Sequence, residues 1–133
     1  MFELDPRLAA DTVELARWKL CRVLLMNDAN YPWLILVPQR PDLRDFDEVA
    51  AADRGVLDGE ITRACGALRT LFKPHKLNVA SLGNAVPQLH IHVIARQTTD
   101  AAWPKPVWGV VPAKPYTADA LASFRERFTA ATG

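Results

Sequence analysis

The chain has 133 residues, 50% of them apolar and 23% charged, with a formal net charge of +1. This length suits one domain that buries a core without disulfides or a structural metal. The near-zero charge gives no general attraction to nucleic acid or to an anionic membrane, and no apolar run reaches the 18 residues of a bilayer span, so an anionic ligand must be held by a local site.

Met1-Phe2-Glu3-Leu4-Asp5-Pro6 lacks the basic and long apolar regions of a signal peptide. Asp5-Pro6-Arg7 predicts a short helix, with Asp as N-cap and Pro in the first turn. Thr12 to Leu15 is a strand candidate, and Leu20 to Met26 a stronger one. Asn27-Asp28-Ala29-Asn30-Tyr31-Pro32 is dense in turn residues. Trp33 to Val37 follows as an apolar strand, and the two runs predict an antiparallel hairpin. After a charged loop from Gln39 to Asp45, Asp45 or Asp47 is expected to cap a helix running to about Phe72. Its Val49, Ala52, Val56, Ile61, Ala64, Leu68, Leu71 and Phe72 form one stripe at three- and four-residue spacings. Gly55, Gly59 and Gly66 interrupt this helix and are expected at close packing, a bend or a dimer contact.

Lys73-Pro74-His75 closes the helix, and His75 is expected to be exposed in that turn. Leu77 to Leu82 predicts a strand, Gly83 to Pro87 a loop, and Gln88 to Ala95 a further strand. Ala101 to Gly109, with Trp103, Pro104, Pro106 and Trp108, is expected to wrap the surface in extended form. Tyr116-Thr117-Ala118-Asp119 opens a last amphipathic helix carrying Leu121, Phe124 and Phe128. Cys21 and Cys65 fall in predicted elements, which suggests a reduced pair in a cytoplasmic protein. The reading is one α+β domain over 1–133, a mostly antiparallel sheet of about five strands with the long helix on one face. Its core spans about 20–95, and a C-terminal wrap and helix span 96–133.

The chemistry concentrates at Gln88-Leu89-His90-Ile91-His92-Val93-Ile94-Ala95. In a strand, alternation puts Gln88, His90 and His92 on one face and Leu89, Ile91 and Val93 on the other, with same-face side chains about 6.6–6.8 Å apart. Two imidazoles can ligate a metal, serve as nucleophile and donor, or be hydrogen-bonded strand residues without catalytic work. Metal is the weaker option, because zinc needs three or four ligands and the strand holds no third. The loop Gly83-Asn84-Ala85-Val86-Pro87 offers backbone amides and an Asn beside the imidazoles, a reasonable place for a phosphate. A neutral histidine can attack phosphorus and form a covalent intermediate.

Gln88-Leu89-His90-Ile91-His92-Val93-Ile94 resembles the signature of the histidine triad (HIT) superfamily, His-φ-His-φ-His-φ-φ with φ apolar. Gln88 stands for the first histidine. Gly83-Asn84-Ala85-Val86 is similar to the Gly-Gln-Ser/Thr-Val that precedes the motif, Asn78 fits an upstream family asparagine, and Leu24 to Pro38 resembles the nucleotide-binding hairpin. The resemblance implies that His90 is the nucleophile that attacks an α-phosphate and that His92 hydrogen-bonds the phosphate or leaving group. It further implies nucleotide or phosphate contacts from Gly83, Asn84, Ala85 and Asn78, ribose contact near Asn27, and apolar residues such as Leu25 flanking the base. Two departures stand out. Gln88 cannot carry a proton, though it could orient its neighbour. Trp33 or a neighbour stands where many triad hydrolases carry a further histidine.

The implied activity is a nucleotide hydrolase or nucleotidyl transferase acting on a dinucleoside polyphosphate, a nucleoside phosphoramidate or a similar compound. The alternative is a nucleotide-binding module with little or no catalysis. No cofactor and no metal are expected, the partner is a small nucleotide, and a homodimer is implied. Trp103 and Trp108 either form a lid or pack the C-terminal segment, and Lys105 and Arg96 are expected to be solvated.

Overall fold

A computed structural model describes residues 1–133. The elements in chain order are α1 (Pro6–Asp11), β1 (Thr12–Arg17), β2 (Cys21–Met26), β3 (Trp33–Pro38), a 3-10 turn (Phe46–Glu48), α2 (Ala51–Phe72), β4 (Lys76–Ala80), β5 (Ile91–Arg96) and α3 (Ala118–Thr132). The strands form one antiparallel sheet in the order β1-β2-β3-β5-β4.

Both faces of the sheet are covered, which is why β2 and β3 are almost wholly apolar. Val23, Leu25, Leu34, Leu36, Ile91, Val93 and Ala95 point toward α2 and α3, where they pack with Leu57, Ala64, Leu68, Phe124 and Phe128. Leu24, Trp33, Ile35, Val37 and Ile94 point the other way. They are covered by Leu8 of α1 and by Ala102 and Val107 of the C-terminal segment. Leu25 therefore sits in the helix-side core and cannot flank a base, contrary to expectation; period-two alternation leaves that to its neighbours.

Asp5 caps α1 by accepting from the Arg7 amide at 2.8 Å, and Thr117 caps α3 by accepting from Ala120. The α2 helix starts later than expected, at Ala51. Glu48 accepts from the Arg44 and Asp45 amides and closes the 3-10 turn before it. Lys73, in the left-handed region at φ 46°, ends it. Gly55, Gly59 and Gly66 lie on its exposed face, and a Cβ on any of them would meet nothing within 4 Å. They are not sites of close packing within the chain. β5 begins at Ile91, three residues after the predicted start, so His90 lies just before the strand and Gln88 in the preceding loop.

The segment after Arg96 is not extended. The Asp100 carboxylate accepts from the amides of Gln97, Ala102 and Trp103 and folds it into consecutive turns. Arg96 is not solvated either; at 1% exposure it is paired with Asp100 at 2.8 and 3.0 Å. Lys105 and His75 are exposed, as the sequence suggests.

Candidate active site

His92, on the face of β5 opposite α2, and His90, just before the strand, are buried at 4% and 6% exposure. Their rings meet edge to face with centroids 4.9 Å apart. Their hydrogen bonds fix which nitrogen carries the proton. His90 Nδ1 lies 2.7 Å from the Gln88 backbone carbonyl, which can only accept. Nδ1 is therefore protonated, and in the neutral ring Nε2 carries the lone pair. His92 is the reverse. The Trp33 indole, which can only donate, gives its Nε1–H to His92 Nδ1 at 3.0 Å. The neutral His92 ring must then carry its proton on Nε2. Burial, followed by the charge of His90, pushes the His92 pKa down to about 4. Pairing of Ile35 with His92 is what brings Trp33, two residues earlier on β3, into range.

Gln88 takes no part through its side chain. Its amide oxygen accepts from the Asp5 N–H at 2.8 Å, and its amide nitrogen donates to the Glu3 carbonyl at 2.8 Å. The side chain holds the N-terminal segment; only the Gln88 backbone orients His90. Gly83, at φ +82°, turns the chain into the loop. No backbone N–H from Gly83 to Val86 donates within the protein, so these amides are available to an anion. Asn84 and Ala85 are exposed on this loop. Arg7 reaches it as well, donating from Nη1 to the Ala85 carbonyl at 2.6 Å while its Nε and Nη2 pair with the Asp5 carboxylate at 3.2 Å. The Arg7 hydrogen bonds hold the Asp5 carboxyl below its ordinary value.

A cavity of about 370 Å³ opens beside Trp33, lined by Met26, Asn27, Asp28, Trp108 and Asp11 among others. Asn27 thus lies where a nucleoside could sit, but its side-chain oxygen accepts from the Tyr116 amide. Asp28 is buried and holds the amides of Asn30 and Lys114. Trp108 packs edge-on against His92 at 5.0 Å and Trp33 at 5.7 Å, so it covers the site. Trp103 instead packs against His75 at 5.2 Å. Asn78, expected among the nucleotide-binding residues, is instead engaged elsewhere: its side-chain oxygen accepts from Arg96 at 2.9 Å. No group of three or more His, Cys, Asp or Glu side chains is placed to hold a metal.

Sequence reasoning missed Arg7, Asp5 and Asp28, and met Trp33 only as a departure. Arg7 and Asp5 carry no local signal, because their link to the loop spans about eighty residues of chain. Asp28 was within the flagged turn.

The sheet, the open loop amides and the paired imidazoles are those of a histidine triad protein. The chain belongs to the HIT domain family, whose model matches residues 8–99. Among solved structures it is similar to a histidine triad protein from Bradyrhizobium japonicum, at 43% identity and a TM-score of 0.97, over 99% of this chain and 98% of that one. A histidine triad protein from Marinobacter aquaeolei VT8 is 45% identical with a TM-score of 0.96, over 99% and 96%. One from Sinorhizobium meliloti 1021 is 40% identical with a TM-score of 0.94, over 97% and 96%. Comparison with curated proteins gives no match.

Proposed function

We propose that the protein is a nucleotide hydrolase or nucleotidyl transferase that works through a covalent nucleotidyl-histidine at His90. The observation that carries this reading is the bond from His90 Nδ1–H to the Gln88 carbonyl. It leaves the Nε2 lone pair of His90 free, on a residue three positions beyond the loop with open amides. The nucleoside occupies the cavity beside Trp33 and Trp108, and the α-phosphate lies over the histidines. His90 Nε2 attacks phosphorus; an N–P bond forms, and the bond from phosphorus to the leaving group breaks with its electron pair on the leaving group. The Gly83 to Val86 amides, Asn84 and the His92 Nε2–H donate to the phosphoryl oxygens as charge develops. Water, or another acceptor in a transfer, then attacks phosphorus and gives up its proton to the solvent, while the N–P bond breaks and its electron pair returns to His90 Nε2.

Brief incubation with diadenosine tetraphosphate, acid quench and mass spectrometry test this. A mononucleotide adduct on His90, absent from His90→Ala, is expected together with loss of AMP release. Unchanged turnover in His90→Ala overturns the mechanism. The second reading, a nucleotide-binding module, is favoured by Gln88, which carries no proton and is committed to Glu3 and Asp5. Calorimetric binding without product over hours would select it.

The reading extends to a homodimer in a reducing cytoplasm. The unpaired edge of β4 next to exposed Val79 and Leu82, at 49% and 50%, supports the first, and the two free cysteines support the second.

A further inference from the structure

We infer that the site is selective for nucleotides whose leaving group departs as an anion, a phosphoanhydride rather than a phosphoramidate, and that Arg7 receives that anion. This rests on the reading of His90 as nucleophile. Its first support is that the site is rich in hydrogen-bond donors and has no acid. The His92 Nδ1 accepts from the Trp33 indole. Protonating it would set two donors face to face, so His92 keeps a single proton on Nε2 and has none to spare. Its depressed pKa agrees. The His90 Nδ1 proton is held by the Gln88 carbonyl. The Gln88 amide does not ionise, and Asp5 is an ion-paired carboxylate. An amine must be protonated to leave phosphorus, whereas a phosphate or polyphosphate leaves with its electron pair and needs no proton.

The second support is the direction of α1. Arg7, in its first turn, touches the phosphate loop at Ala85, and Ala10 and Asp11 at its other end line the nucleoside cavity. Six helical residues span about 9 Å. A nucleotide with its nucleoside in the cavity and its α-phosphate on the histidines therefore extends its leaving group toward Arg7. That guanidinium has five N–H donors, of which three are used. Its side chain is 56% exposed, so two donors remain for an incoming anion.

The test compares kcat/KM for diadenosine tetraphosphate and for adenosine 5′-phosphoramidate, whose leaving group is ammonia. The wild type is expected to favour the anhydride by about 100-fold or more, the scale of one missing general acid. Arg7→Ala, an exposed substitution, is expected to lower that ratio by roughly tenfold or more, mainly through KM for the tetraphosphate. Comparable kcat/KM on the two substrates, or an unchanged ratio in Arg7→Ala, overturns the inference. Nitrogen NMR of the His92 ring gives a readout apart from turnover. An unprotonated Nδ1 at pH 6 is expected, and a doubly protonated ring there also overturns it. Adduct formation keeps the two readings separate: His90 adducts forming equally fast from both substrates refute the selectivity but keep the nucleophile, while no adduct from either refutes both.

Discussion

His92 owes its chemistry to Trp33. A histidine at the Trp33 position could exchange protons with its neighbour; an indole can only donate, and it locks the His92 ring in one neutral form. This has a cost that stability measurements can read. The His92 pKa is about 4 in the fold, against about 6.5 unfolded. Above pH 6.5 both states are neutral and the group contributes no pH dependence. As pH falls from 6.5 toward 4, the unfolded chain takes up a proton that the folded one refuses, so stability declines, by up to about 3 kcal/mol. Urea denaturation of the wild type and His92→Gln at pH 7 and pH 4.5 checks this. The loss between the two pH values is expected to be smaller by 1 kcal/mol or more in the variant, and equal losses would rule out a buried neutral His92. Gln88 teaches a different lesson. Its place in the motif suggests an imidazole substitute, but its amide spans to Glu3 and Asp5 and its backbone does the orienting.

Elements followed from the sequence where one physical rule governs them. Two apolar runs, Leu20 to Met26 and Trp33 to Val37, around a turn-rich loop predicted the hairpin, and three- and four-residue spacing predicted α2. The rule failed where tertiary hydrogen bonds override local pattern. Gln88-Leu89-His90 continues the alternation of β5, yet its residues bond to the N-terminal arm and to the Leu43 carbonyl rather than to a neighbouring strand. Likewise, the glycines of α2 looked like packing sites, but they lie on its open face. Gly59→Ala is therefore expected to stabilise the protein by about 0.5–1 kcal/mol, since alanine loses less entropy and meets no atom. A lower urea midpoint would show instead that something covers that face in solution. The N-terminal arm depends on one residue in the same way. Gln88→Ala removes its two hydrogen bonds, and amide exchange at residues 3–9 is expected to quicken about tenfold, for roughly 1–2 kcal/mol of lost local stability. An unaltered exchange rate would mean that Leu4 and Leu8 hold the arm by packing alone.

Across the whole molecule, the sheet divides stability from chemistry. One face packs on α2 and α3 into the larger core, and the other carries the histidines beneath the arm and the C-terminal strap. The strap was the least legible part of the chain, because a buried ion pair and not periodicity shapes it. Arg96 shares a face of β5 with His92, four residues on, and lies over the Tyr31 and Trp103 rings. Burial alone would raise the Asp100 pKa; the Arg96 guanidinium and three backbone amides outweigh it and hold the carboxyl below its usual range. That pair fixes the turns from Gln97 to Trp103, and those turns aim Trp108 at His92. Asp100→Asn would leave the Arg96 charge buried without its partner, a loss of about 3–5 kcal/mol for a pair this enclosed. A fluorine label on Trp108 reports on the lid at the same time. Its resonance is expected to shift toward that of solvated indole in the variant while the helix signal in circular dichroism persists at low temperature. A stability loss under 1 kcal/mol with an unshifted Trp108 resonance would mean that Ala102 and Val107, buried against β3, seat the strap without the ion pair.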